Sequence, residues 1–184
     1  MEEKESAVKE VELKLVSELM KNSRRSDREL ARAIGVSQPT ITRTIKKLEK
    51  EGIIREYTMI PDFSKLGYEI LAITLVKHAK QLDSKELDEV AKMGIERARR
   101  ESSTEIIMAE RGLGLGADSI IISYQKDYSA YLDHMERLKK FQHIDFSNVQ
   151  SFLINLNDKI HYRSLTFSTL AKNLLKMHEE SGQE

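Results

Sequence analysis

The chain has 184 residues, room for one medium domain or two small ones. Lysine plus arginine and aspartate plus glutamate stand at 30 each, so net charge carries no nucleic-acid signal, and the absence of cysteine excludes disulfides and thiolate metal sites. With no tryptophan and 6% aromatics, a long stacking platform for single-stranded nucleic acid is not expected. No apolar run approaches the ~18 residues of a membrane span, and the opening MEEKES is acidic, unlike a signal peptide. The expected location is the cytoplasm, with no membrane contact.

In chain order, Val8, Val11, Leu15 and Leu19 recur at helical spacing and predict a first helix over about 6–21. Asn22 and Ser23 break it. Ser26 or Asp27 can cap a short second helix that ends before Gly35. Ser37 suits the cap of a third, with Pro39 in its first turn, where a missing N–H does little harm. Gly52 is a natural left-handed stop. The β-rich IIREYTMI, residues 53–60, reads as a strand or short hairpin, and PDFSKLGY, residues 61–68, as a linker. These features divide the chain into domains at 1–63 and 64–184.

The second domain reads strand, helix, strand, strand, helix, strand. ILAITLV (70–76) is a buried strand, followed by a helical stripe of Leu87, Val90, Ala91, Gly94 and Ala98. TEIIMA (104–109) and DSIIISY (118–124) are strands around a glycine-rich turn. Tyr128, Tyr131, Leu132, Met135 and Leu138 make a second stripe, and VQSFLINL (149–156) is the last strand. The fold class is therefore α+β: an N-terminal winged helix-turn-helix and a C-terminal ferredoxin-like βαββαβ domain with helices on one sheet face. The bare face needs a cover, either a second copy of the chain or a final amphipathic helix around 165–177, through Leu170, Leu174 and Met177.

Charge is unevenly spread. From Lys21 to Lys50 nine cations stand against three anions, the footprint of a phosphate-contacting face. In the third helix Ile41, Ile45 and Leu48 share the face that must be buried. Pro39, Thr42, Arg43 and Lys46 then point outward, with Ser37 and Gln38 at the tip, as in a recognition helix. Arg43 suits a guanine edge and Gln38 an adenine edge, while Thr40, Thr42 and Lys47 suit phosphates or thymine methyls. The expected partner is double-stranded DNA.

The run from KLVSELMKNSRRSDREL through GVSQPTITRTIKKLEKEGII to YTMIPDFSKLGY resembles the N-terminal half of the leucine-responsive/asparagine-regulator (Lrp/AsnC) transcription regulators. The linker YTMIPDFSKLG is its most diagnostic part, and the resemblance runs more loosely on to about Leu156. It implies a DNA-binding regulator that forms a homodimer, or a higher even-numbered homo-oligomer, through the second domain. It also implies an amino-acid-like effector between second domains. The matching loop here is GLGLGAD, making Gly112, Gly114, Gly116 and Asp118 the candidate effector residues. The loop is richer in glycine than the family pattern, and a helix is added past the usual end.

Other chemistry is less well supported. The GxGxG at Gly112 would need a helix after it to cradle a dinucleotide, and a strand follows. The five histidines are scattered, so neither a cofactor nor a metal site is expected. A siroheme-decarboxylase-like enzyme shares the architecture and is the alternative class. Such an enzyme should not need the Arg43/Lys46 face, and a non-enzyme is expected.

Overall fold

The computed structural model describes residues 9–78, 105–141 and 143–181, with Lys85, Glu86, Asp88, Glu89, Lys92 and Glu96 between them in helical backbone. The stripe of Leu87, Val90, Ala91, Gly94 and Ala98 lies outside the described residues. Two compact units emerge, one of residues up to Pro61 together with Tyr162 onward, the other from Asp62 to His161.

In the first unit, α1 spans Glu10–Lys21, α2 spans Asp27–Ile34 and α3 spans Gln38–Lys50. Local chemistry sets each boundary. Ser26 caps α2 by accepting the Glu29 N–H, and the Glu29 carboxylate accepts the Ser26 N–H at 2.8 Å, a reciprocal capping box. Gly35 closes α2 at φ 84°, a left-handed conformation that costs glycine little. The Ser37 hydroxyl oxygen caps α3 by accepting the Thr40 N–H at 3.3 Å, with Pro39 in the first turn. Leu15, Leu30, Ile41 and Leu48 are wholly buried where the three helices meet, with Ala31 allowing close approach.

The expected strand pair over 53–60 is not formed. The amides of Ile53 and Ile54 turn back to the Leu48 carbonyl, Ile54 joins the core, and the chain then runs on to Ile60 without a strand partner among the described residues. β-branched residues favour a ladder only when another edge is offered. Here the arm is held instead by the Tyr57 hydroxyl donating to Glu49 at 3.0 Å and the Ser23 hydroxyl donating to the Thr58 carbonyl at 3.3 Å.

The last helix also departs from expectation. It spans Ser168–Ser181, numbered α5 here, and packs on α1 in the first unit rather than belonging with the sheet. Ser17 and Ala171 are both fully buried, and the Ser17 hydroxyl donates to the Ala171 carbonyl at 2.8 Å. The chain passes from the first unit to the second at 61/62 and returns to the first at 161/162, so the C-terminal helix groups with the first unit.

The second unit opens with a 3-10 turn, Phe63–Leu66, and carries β1 (Ile70–Val76), β2 (Ile106–Gly114), β3 (Ala117–Gln125), α4 (Tyr128–Lys139) and β4 (Gln150–Asn155). The sheet order is β2-β3-β1-β4, all antiparallel, which is the ferredoxin-like arrangement. Alternation along β1 sorts the two faces. Ala72, Thr74 and Val76 are buried, as are Ser123 and Gln125 of β3, and α4 packs over these strands with Tyr131, His134 and Leu138 buried. On the opposite face Ile73 stands between Ile122 and Phe152, and Leu71 between Tyr124 and Ile154. Phe63 stacks on Tyr124 at 3.8 Å and covers one end of that face, while Phe152 remains 68% exposed.

Candidate nucleic-acid interface

The caps and core contacts of α3 decide which of its side chains reach outward. Ile41 and Leu48 are fully buried and Ile45 partly so, leaving Gln38, Pro39, Arg43 and Lys46 exposed on the other side. Arg43 and Lys46 make no hydrogen bond or ion pair among the described residues, so both cations are available to a ligand. Arg28 on α2 and Arg55 on the arm share that state. Arg55 escaped the sequence reading because it lies in a stretch read as strand.

Other sequence-predicted positions are occupied at home. The Ser37 hydroxyl is the α3 cap and is bonded to the Thr40 hydroxyl at 2.8 Å. Thr42 is turned toward α2, donating to the Asp27 carboxylate and lying 3.2 Å from the Gln38 carbonyl. Lys47 differs most from its expected role. Its ammonium lies 2.6 Å from Glu12 of α1 and 3.7 Å from Glu51. Glu12 is nearly buried, and it also accepts the Lys9 N–H at 2.9 Å. The bond from Lys47, then that from Lys9, holds the Glu12 carboxyl below its usual range against the opposing effect of burial. The same bond raises Lys47 above the usual lysine value. Lys47 thus fastens α3 to α1. Glu12 was missed because it lies beside the apolar stripe of α1, and nothing local reveals a partner 35 residues away.

The candidate effector residues do come together, in the β2–β3 hairpin. Gly114 pairs with Ala117, leaving Leu115 and Gly116 as a two-residue turn with φ 52° and 75°. That is the primed turn of a tight hairpin, and it places a leucine where glycine or asparagine is normally found. Space around Gly112, Gly114 and Gly116 is open: nothing lies within 4 Å of where a Cβ would stand. Asp118 is already engaged, accepting the His78 N–H at 2.9 Å with the Lys77 ammonium at 3.6 Å. The His78 N–H holds its carboxyl below the usual range. Among the described residues no group of three or more histidines and carboxylates converges as a metal site, and no helix is long and apolar enough to cross a membrane.

Residues 9–55 match the winged helix-turn-helix DNA-binding family. An HTH-type transcriptional regulator of Pyrococcus horikoshii, PH0061, is 49% identical over 67 residues, covering 36% of this chain and 45% of that protein. The HTH-type transcriptional regulator LrpC of Bacillus subtilis is 42% identical over 64 residues, covering 35% and 44%. The chain therefore matches just under half the length of these relatives by sequence. In structure the likeness is longer. PH0061 superposes with a TM-score of 0.65 at 29% identity, over 90% of this chain and all of that one. LrpC gives 0.60 at 24% identity, over 89% of this chain and all of that one. The transcriptional regulator NMB0573 of Neisseria meningitidis, solved as a complex with L-Met, gives 0.64 at 21% identity, over 89% and 99%. A winged helix-turn-helix is matched at the N-terminus, and along nine-tenths of its length the chain has the fold of these regulators, so it is similar to the Lrp/AsnC regulators.

Proposed function

We propose that this chain is a sequence-specific transcription regulator that binds double-stranded DNA through α3 and is not an enzyme. The observation that carries the reading is the outward face of α3, where Gln38, Arg43 and Lys46 stand exposed with both cations unpaired among the described residues, on a helix pinned from behind by its core and by Lys47–Glu12. A rigid helix with free bidentate donors is what base-edge reading in a major groove requires. Ser37, Pro39, Thr40 and Thr42 shape the tip of that helix, and Arg28 and Arg55 supply phosphate contacts beside it. The acting form is a homodimer, or a higher even-numbered assembly, joined through the bare sheet face around Ile73 and Phe152. The cytoplasm, where DNA is accessible, is the compartment this function requires.

The same reading includes a small amino-acid-like effector at the Gly112–Asp118 hairpin, where the space beside Gly112, Gly114 and Gly116 is open to a ligand. The L-Met complex of NMB0573 supports the ligand class. Random-pool selection of duplex DNA with the purified chain tests the main reading. A defined, dyad-related site is the expected outcome, and failure to enrich any sequence would refute it. For the effector, a thermal-shift screen against the common amino acids should find one that stabilises wild type and not Asp118→Asn. No shift at millimolar concentration would count against the site.

A further inference from the structure

Thr42 lies on the flank of α3 nearest the start of α2, half-buried and one turn beyond the exposed Pro39. Its hydroxyl donates to the carboxylate of Asp27, the first residue of α2, and lies 3.2 Å from the Gln38 carbonyl one turn back. Both neighbours are acceptors, and a hydroxyl has a single proton to give. Thr42 is therefore a donor already spent. A phosphate oxygen, the N7 and O6 of guanine and the O4 of thymine each require a donor. The Asp27 charge beside the hydroxyl also repels phosphate.

What Thr42 keeps for a ligand is its methyl group. A β-branched side chain is stiff, so the bond that turns the hydroxyl to Asp27 also fixes the methyl. Pro39, three residues earlier and a neighbour on the helix surface, adds ring carbons and no donor. The two make a small apolar step among the exposed Gln38, Arg43 and Lys46. In the major groove the apolar group on offer among the four bases is the thymine methyl.

Resting on the DNA-binding reading, we propose that Thr42 is a specificity residue that reads the C5-methyl of a thymine through its own methyl, with Asp27 as the positioning residue that fixes its rotamer.

Replacing thymine by uracil deletes that methyl and leaves base pairing intact. The duplex recovered from random-pool selection is resynthesised with one thymine at a time replaced, and affinities are compared at fixed salt. Wild type should lose about fourfold at one thymine of the half-site, the worth of one buried methyl group, and little elsewhere. Thr42→Ser keeps the hydroxyl without the methyl and should bind the two duplexes equally at that position. Thr42→Val keeps a methyl without the hydroxyl and should retain the preference. Asp27→Ala frees the rotamer and should bring the thymine-to-uracil ratio close to one, whereas Asp27→Asn, whose amide oxygen still accepts, should preserve it. Each comparison is a ratio within one protein, so a uniform change in stability or charge cancels.

A wild type indifferent to every thymine methyl, or a ratio unchanged in Thr42→Ser, would overturn the contact. So would Thr42→Val weakening every duplex alike while Thr42→Ser matches wild type, the pattern of a hydroxyl on phosphate. An unchanged ratio in Asp27→Ala would overturn the positioning role. A wild type that enriches no duplex at all would bring down the DNA-binding reading, and this contact with it.

Discussion

Three lysines and arginines on or beside α3 carry like charge and unlike duties. Arg43 is exposed and unpaired, so Arg43→Ala should weaken binding to the selected site by about 1–3 kcal/mol and relax its specificity, as read by competition with mutated duplexes. Lys46→Ala should weaken all sequences alike and reduce the slope of log affinity against log salt by about one. Lys47→Ala should instead act first on folding, lowering the melting temperature, because it leaves the nearly buried Glu12 carboxylate without its cation. The same pair predicts a pH dependence. The Glu12 pKa is depressed on folding, first by the Lys47 bond, so its contribution to stability is complete above the ordinary carboxylate value of 4.5 and is lost as pH falls through the lowered value. The stability gap between wild type and Glu12→Gln should therefore shrink as urea unfolding is repeated at successively lower pH below 4.5. A gap that stays constant or widens would show that the pair does not govern Glu12.

At the level of single elements, boundaries follow from chemistry within one turn. Ser26 and Glu29 form the capping box of α2, so Ser26→Ala should destabilise the winged-helix unit by about 1 kcal/mol, measured by chemical denaturation. The β2–β3 hairpin holds a strained residue. Leu115 has φ 52° and is 82% exposed, so neither packing nor backbone preference favours leucine there. Leu115→Asn should stabilise the second unit by about 0.5–1 kcal/mol, seen as a raised urea midpoint. Elements of this kind were legible in the sequence. Ser26, Gly35, Ser37 and Pro39 marked α2 and α3 within a residue or two, and the GLGLGAD run marked the hairpin. The arm after α3 was not legible, because β-branched residues state a preference for a strand without stating whether a partner edge exists.

For the whole molecule, the sheet face opposite α4 presents Leu71, Ile73, Ile122 and Phe152, with Phe63 stacked on Tyr124 over one end. Phe152→Asp should convert a dimer into a monomer by light scattering at micromolar concentration and should lower affinity for a two-half-site duplex more than tenfold, while leaving the second unit folded by circular dichroism. An unchanged mass would place the assembly surface elsewhere. Residue order by itself determined the helix-turn-helix, the βαββαβ succession and the apolar faces, since period, caps and glycines act over a few residues and need no knowledge of the rest of the chain. The tertiary structure alone decided that Lys47 serves Glu12, that Thr42 serves Asp27 and that Asp118 serves the His78 amide. It alone put α5 on α1, through a bond between residues 154 positions apart. A hydroxyl or a charge carries no record of its partner in sequence; the partner is whichever complementary group folding brings within about 3 Å.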